Sequence, residues 1–170
     1  VRLRRGGVRG TFLTLGYSGP ELAPLLARYR LTQTVVSAGH ARALDACGRR
    51  LAVHLKVGTG LHRLGIPWDG TQSLTAPYSC SHLRVTGVFT HLADAERLDE
   101  ASQARTREQL RRFQAAVDGL RSAGYAPGAV HFQGSYGLLN YPGLPCDCAR
   151  PGIALYGVLS APGDATTAVL

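Results

Sequence analysis

The stretch VHLKVGTGLHRLG, residues 53–65, carries the pattern from which the fold is predicted. It starts inside a short apolar run, residues 51–57, of the kind that forms a buried β-strand, and it continues as a glycine-rich loop. Lys56 lies inside the apolar run, and Arg63 lies on the far side of the loop. Because an unpaired charge in a buried strand is costly, the pattern predicts a functional site where this strand ends.

The composition is that of a folded globular domain. Hydrophobic residues make up 45% of the 170 residues and charged residues 18%, which is enough apolar material for a single core. No apolar run approaches the roughly 20 residues that span a bilayer, and the arginine-rich start lacks the apolar segment of a signal peptide. Because the sequence starts at Val1 and contains no methionine, we expect an internal piece of a longer protein.

The charged residues and the common metal ligands follow no pattern typical of a nucleic-acid surface or a metal site. The net charge is +8, but the arginines are scattered and are not interleaved with aromatic residues. The six histidines lack paired-ligand spacing, and the four cysteines include one C-x-C pair, Cys146 and Cys148. We therefore predict no metal, no nucleic-acid partner, no membrane contact from this segment, and free thiols in a reducing cytoplasm.

Apolar runs alternate with helical patterns along the chain. Six runs predict strands, at residues 11–15, 32–36, 51–57, 85–90, 129–132 and 153–156. Ser18 with Glu21, and separately Ser37, are predicted helix caps. The apolar spacing of residues 110–120 predicts a long helix, and residues 66–83 predict a loop with at most one short helix. Alternating strands and helices predict an α/β fold, and since a closed barrel needs about 250 residues, we expect a partial (β/α)8 TIM barrel.

Charged and polar residues follow the predicted strands at several points, namely Lys56, Arg63, His91, Ser135 and Arg150. The carboxyl ends of parallel strands form the active sites of such folds. A hydroxyl and free backbone N–H groups near the last strands form a common phosphate site, which favours Ser135 and residues 150–153. By chemistry alone, Lys56 is the candidate for a Schiff base, whereas His91 also fits a packed structural histidine.

Four segments, in order, resemble motifs of the alanine racemase family. Residues 53–65 resemble its lysine strand followed by D-T-G-M-x-R-x-G, and residues 87–93, GVFTHLA, resemble G-x-x-T-H-F-A. Residues 131–135, HFQGS, stand at the position of H-x-x-N-S, and residues 150–157, RPGIALYG, at that of R-P-G-I-x-L-Y-G. Residues 133–141 and 157–160 are especially similar to the membrane-anchored serine/alanine racemases of vancomycin resistance.

The resemblance implies a homodimeric racemase that depends on pyridoxal 5′-phosphate and has a TIM barrel followed by a β-domain. Residues 1–160 would form the partial barrel, which binds the cofactor, and residues 161–170 would begin the linker to the β-domain. The implied reaction interconverts the enantiomers of alanine or serine and supplies D-amino acids for peptidoglycan. The resemblance does not choose between the two substrates, nor does it say whether a membrane domain precedes the barrel.

Five residues receive cofactor-binding roles from the resemblance. Arg150 would face the pyridine nitrogen, and His91 would hold Arg150 in place by a hydrogen bond. Ser135, Gly152 and Ile153 would bind the phosphate through hydroxyl and backbone N–H groups.

Lys56 and Arg63 receive supporting roles in catalysis. Arg63 would reach the phenolic oxygen of the cofactor and help to place the substrate carboxylate. Lys56 matches a second lysine of the family, often carbamylated, that braces Arg63, and it does not match the Schiff-base lysine. That lysine would lie upstream of Val1 and the catalytic tyrosine downstream of Leu170, so we expect the segment alone to be inactive.

Two positions depart from the family motifs. Gly58 stands where the motif has aspartate, and Gly134 stands where it has the asparagine before Ser135. The first change removes a carboxylate near the loop, and the second removes a side-chain amide near the phosphate. Two further functions stay open, a non-catalytic barrel remnant that binds a phosphate ligand or a partner chain, and a cofactor-binding barrel without a β-domain.

Overall fold

A parallel sheet forms the centre of the protein. The computed structural model describes residues 1–158. Its strands are β1 Phe12–Thr14, β2 Leu31–Val35, β3 Leu51–Gly58, β4 Ile66–Pro67, β5 Leu83–Phe89 and β6 Ala129–His131. The order across the sheet is β1-β2-β3-β5-β6, all parallel, and the two-residue β4 pairs with the end of β3. This arrangement is the open half of a barrel.

Helices connect the strands. They are α1 Arg2–Arg5, α2 Ala23–Arg28, α3 Ala38–Asp45, α4 Thr71–Thr75, α5 Glu100–Ser122 and α6 Ser135–Asn140. Three 3₁₀ turns, Pro20–Leu22, Ala76–Ser79 and Ile153–Tyr156, complete the secondary structure of the described residues. Within residues 1–158, no helix has both the length and the apolar character needed to cross a membrane.

β3 lies in the middle of the sheet and is buried on both faces, as crossover connections require. Val53, Leu55 and Val57 are at most 1% exposed on one face, and Lys56 is only 4% exposed on the other. The strand register places Lys56 beside Phe89 of β5, and Phe89 beside His131 of β6. The register therefore places Lys56 and His131 on either side of Phe89, at the carboxyl ends of three adjacent strands.

α5 covers the sheet with the face that its apolar spacing predicts. Phe113, Val117 and Leu120 are at most 2% exposed, and the Phe113 ring meets the edge of Phe132 with 6.0 Å between centroids. The helix begins after Asp99, whose carboxylate accepts the N–H of Ser102 at 3.0 Å. The predicted long helix is confirmed.

Three local predictions need correction. Ser18 makes no side-chain cap, because the chain enters a 3₁₀ turn at Pro20 with Gly19 at its start, and the Glu21 carboxylate folds back over Gly19. Residues 153–156 form a 3₁₀ turn and not a strand. Residues 66–83 contain β4 and a 3₁₀ turn besides one short helix. The predicted linker, residues 161–170, lies outside the described residues.

Ser37 provides a test of the confirmed helix cap. Its hydroxyl accepts the N–H of His40 at 3.0 Å at the start of α3. Ser37→Ala should lower the free energy of unfolding by about 1 kcal/mol, because that N–H loses its partner. Ser18→Ala is the matched control, since the Ser18 side chain caps no helix. Urea denaturation measures both, and equal losses in the two variants would contradict the assignment.

Candidate active site at the carboxyl ends of the strands

The guanidinium of Arg150 lies at the ends of β5 and β6. It donates hydrogen bonds to Nδ1 of His131, to the carbonyl of Thr90 at 2.8 Å and to the carbonyl of Phe132 at 3.2 Å. Its carbon lies 5.0 Å from the ring centroid of Phe89. These bonds use three of the five N–H groups of the guanidinium, so two remain for a ligand.

The partner of Arg150 is therefore His131, and the predicted hydrogen bond from His91 to Arg150 is wrong. His131 is fully buried at the end of β6, next to the guanidinium, whereas His91 lies beyond the end of β5. The sequence held a signal for His131, because it is the first residue of the HFQGS motif. The motif did not indicate which histidine would be within reach of Arg150.

A second histidine, His54, extends this arrangement into the barrel. Since Arg150 donates to Nδ1 of His131, the proton of His131 is on Nε2 and is donated to Nδ1 of His54 at 2.9 Å. Burial, and then the charge of Arg150, lower the pKa of His54 to about 4 and that of His131 to about 3. Gly87 leaves the space for the His54 ring, because a Cβ there would lie 2.4 Å from it.

Lys56 and Arg63 bring two more positive charges to the site. The Lys56 amine lies 5.8 Å from the Phe89 ring centroid, and burial together with Arg63 and Arg150 lowers the pKa of Lys56. Arg63 is exposed on the loop after β3. Among residues 1–158, none of the three cations forms an ion pair with a carboxylate.

Ser135 connects α6 to the segment after Arg150. Its hydroxyl oxygen accepts the N–H groups of Gly152 at 2.9 Å and of Ala154 at 3.2 Å. The predicted association of Ser135 with residues 150–153 is thus present in the structure. These bonds also explain the 3₁₀ turn. In a strand, these N–H groups would donate to a neighbouring strand, whereas here they donate to the Ser135 hydroxyl.

His91 lies at the edge of the same site. Burial is the largest cause that lowers its pKa to about 4, followed by the charges of Arg150, Arg63 and Lys56. A Cβ at Gly134 would be 3.3 Å from Cε1 of His91, so the glycine gives the ring room to approach the backbone. The other departure, Gly58, has ordinary space for a Cβ, with the nearest carbonyl oxygens at 3.6 Å.

The side chains that commonly bind metal ions are not clustered in the part of the chain that the structure describes. No group of three or more histidine, cysteine, aspartate or glutamate side chains there could hold an ion. The four cysteines are free thiols, of which only Cys80 is buried.

Comparisons with known proteins agree with this geometry. The family model described as alanine racemase, N-terminal domain, matches residues 1–160. The chain therefore belongs to the alanine racemase family, and its parallel half-barrel is the N-terminal TIM-barrel domain of that family. The predicted fold class is confirmed.

Individual relatives show how much of such proteins the chain covers. It is 39% identical to a serine/alanine racemase of Enterococcus gallinarum, over 98% of this chain and 24% of the relative. It is 38% identical to an alanine racemase of Geobacter sp. (strain M21), over 96% of this chain and 45% of the relative. An alanine racemase of Clostridium difficile 630 in complex with cycloserine superimposes with a TM-score of 0.90 at 26% identity, covering 98% of this chain and 46% of that one. The chain thus spans less than half the length of these relatives.

The buried histidine pair makes stability depend on pH. His54 and His131 are neutral in the folded chain down to pH values of about 4 and 3, whereas they take up protons near 6.5 once unfolded. Stability should be full above pH 6.5 and should fall below it, by up to ~1.4 kcal/mol per pH unit for each histidine. Urea denaturation between pH 7 and pH 5 measures the slope.

His131→Gln should make that slope shallower, while the same change at the exposed His62 should leave it as it is. An unchanged slope in the His131 variant would show that other groups cause the acid sensitivity.

Proposed function

We propose that the chain is the barrel part of a pyridoxal-phosphate-dependent racemase that acts on alanine or serine. The observation that carries the proposal is the gathering of Lys56, Arg63 and Arg150 without a carboxylate partner in the described chain. Membership of the alanine racemase family supports the same reaction. We further propose that the complete protein works as a homodimer in the cytoplasm and supplies D-amino acids for peptidoglycan.

The residues present fit an anionic cofactor. Uncompensated cations at a half-buried site are costly, and a bound phosphate, phenolate or carboxylate would offset that cost. Pyridoxal phosphate carries the first two groups, and an amino-acid substrate carries the third. When bound, this cofactor withdraws electrons from the Cα–H bond of an amino acid, which is the bond that racemisation must break.

Arg150 is proposed to meet the pyridine nitrogen. Its two remaining N–H groups can donate a hydrogen bond, and a guanidinium in a protein does not give up its proton. The ring nitrogen would consequently accept a hydrogen bond and stay unprotonated. This limits how far the negative charge of the deprotonated substrate can delocalise into the ring. His131 fixes the orientation of the guanidinium, and we assign His91 a contact with the bound group and no role in holding Arg150.

The phosphate is proposed to bind Ser135, Gly152 and Ile153. The Ser135 oxygen already accepts two N–H groups, so its own proton is left to donate to a phosphate oxygen. The N–H of Ile153 donates to no acceptor among residues 1–158. The bonds from Gly152 and Ala154 to Ser135 bring its hydroxyl beside Ile153, so both donors can reach one compact dianion.

Lys56 is proposed to act as an anion after carbamylation. Its lowered pKa increases the fraction of neutral amine, which adds to carbon dioxide and releases a proton to give a carbamate. The carbamate would then pair with Arg63 and hold it where the substrate carboxylate binds. The same reaction reverses the charge of Lys56 and removes its repulsion of Arg63 and Arg150.

Racemisation by the complete protein tests the proposal. Purified with pyridoxal phosphate, it should convert L-alanine or L-serine to the D-enantiomer, as chiral chromatography measures. Arg63→Ala should raise KM about 10- to 100-fold, because the substrate carboxylate loses a charge-assisted hydrogen bond. Arg107→Ala, which removes an exposed arginine of α5, is the control and should leave KM unchanged. Binding of pyridoxal phosphate without racemisation of either substrate would support a non-catalytic barrel instead.

The identity of the covalent lysine gives a second test. Lys56 is proposed to support Arg63, so borohydride reduction of the complete protein with pyridoxal phosphate should leave Lys56 unlabelled. Peptide mapping by mass spectrometry locates the reduced adduct. A label on Lys56 that disappears in Lys56→Ala would contradict its supporting role, even if racemisation is observed.

A further inference from the structure

Gln109, on the inner face of α5, contacts both loops that carry the proposed site. This residue is 5% exposed, and both the nitrogen and the oxygen of its amide form hydrogen bonds. Nε2 donates to Oγ1 of Thr59 at 3.1 Å and to the carbonyl of His91 at 3.3 Å, while Oε1 accepts the N–H of Ala93 at 2.8 Å. One side chain therefore joins the loop after β3 to the loop after β5.

The hydrogen bonds beyond Gln109 have a single consistent direction. An amide N–H can only donate, so Oγ1 of Thr59 accepts this hydrogen bond. The Thr59 hydroxyl then donates its own hydrogen bond to Oγ1 of Thr90 at 2.8 Å. Thr90 in turn donates to the carbonyl of Val57 at 2.9 Å. Thr59 and Thr90 are 2% and 1% exposed, so water does not replace any of these bonds.

The chain of hydrogen bonds ends at groups of the proposed site. Val57 directly follows Lys56 in β3, and the carbonyl of Thr90 accepts a hydrogen bond from Arg150 at 2.8 Å. The loop after β3 also packs directly on the glutamine, since a Cβ at Gly60 would lie 3.0 Å from Cγ of Gln109. Any shift of Gln109 would thus be transmitted to both loops.

We propose that Gln109 is a positioning residue, which sets the loops bearing Arg63 and His91 relative to Arg150. This inference rests on the proposed function. A carboxylate of the same shape cannot replace the amide, because Glu at this position would turn acceptor atoms toward the Thr59 hydroxyl and the His91 carbonyl. Neither an apolar nor an acidic residue of similar shape should therefore replace glutamine at this position.

Kinetics of the complete protein provide the first measurement. Gln109→Leu and Gln109→Glu should each raise KM for the amino acid about tenfold, because Arg63 is no longer held in its binding position. Gln114→Leu, on the exposed side of the same helix and bonded only to Asp118 at 2.9 Å, is the matched control and should change nothing. A lower melting temperature with unchanged KM in both Gln109 variants would overturn the inference and leave Gln109 as a purely structural residue.

Hydrogen exchange read by mass spectrometry provides a measurement that needs no activity. In Gln109→Leu, amides of residues 59–63 and 91–93 should exchange about tenfold faster, while those of β1 and β2 keep the wild-type rate. Equal exchange of both loops in variant and wild type would overturn the inference. If wild type fails to racemise either substrate, the proposed function fails, and the exchange result still decides whether Gln109 fixes the two loops.

A pair of variants at Thr59 covers the case in which the Gln109 variants do not fold. Thr59→Ser keeps the hydroxyl and should retain the wild-type KM and exchange rates. Thr59→Val keeps the shape, breaks the same chain of hydrogen bonds, and should reproduce the changes expected for Gln109→Leu. Identical behaviour of the two Thr59 variants would overturn the inference.

Discussion

The hydrogen bond between Arg150 and His131 determines the geometry of the whole site. It requires a neutral histidine that accepts on Nδ1, and burial at the end of β6 supplies that state by lowering the pKa of His131 to about 3. The guanidinium also bonds to the carbonyls of Thr90 and Phe132, so it joins the ends of two adjacent strands. If His131 were protonated, it would repel Arg150 and could no longer accept its hydrogen bond.

The same arrangement also shifts the pKa values of the neighbouring groups Lys56 and His91. Burial is the largest cause that lowers the pKa of Lys56 and of His91, and the charges of Arg150 and Arg63 act on both in the same direction. The site keeps its histidines neutral and lowers the pKa of Lys56, so the positive charges that an anionic ligand meets are those of Lys56, Arg63 and Arg150. An anion would relieve repulsion that the folded chain otherwise bears, so ligand binding and stability of this region are linked.

Several features were predictable because they depend on neighbours in sequence. The spacing of Phe113, Val117 and Leu120 identified α5, and Ser37 identified the start of α3. One prediction failed because a distant group competes for the backbone, and another failed because of a neighbouring proline. Residues 153–156 have the composition of a strand, but the Ser135 hydroxyl accepts the N–H groups of Gly152 and Ala154, and the segment turns. Ser18 has the residue type of a cap, but the proline after Gly19 starts a 3₁₀ turn instead.

The sequence by itself determined the alternation of strands and helices, the placement of Lys56 in a buried strand, and the motifs that mark Ser135 and Arg150. Those properties reside in residue type and local spacing. Only the tertiary structure decided that His131 and not His91 holds Arg150, and that Gln109 joins the loops after β3 and β5. Gln109 lies 50 residues from Thr59 along the chain, and the two come within hydrogen-bond distance only because α5 packs against the sheet.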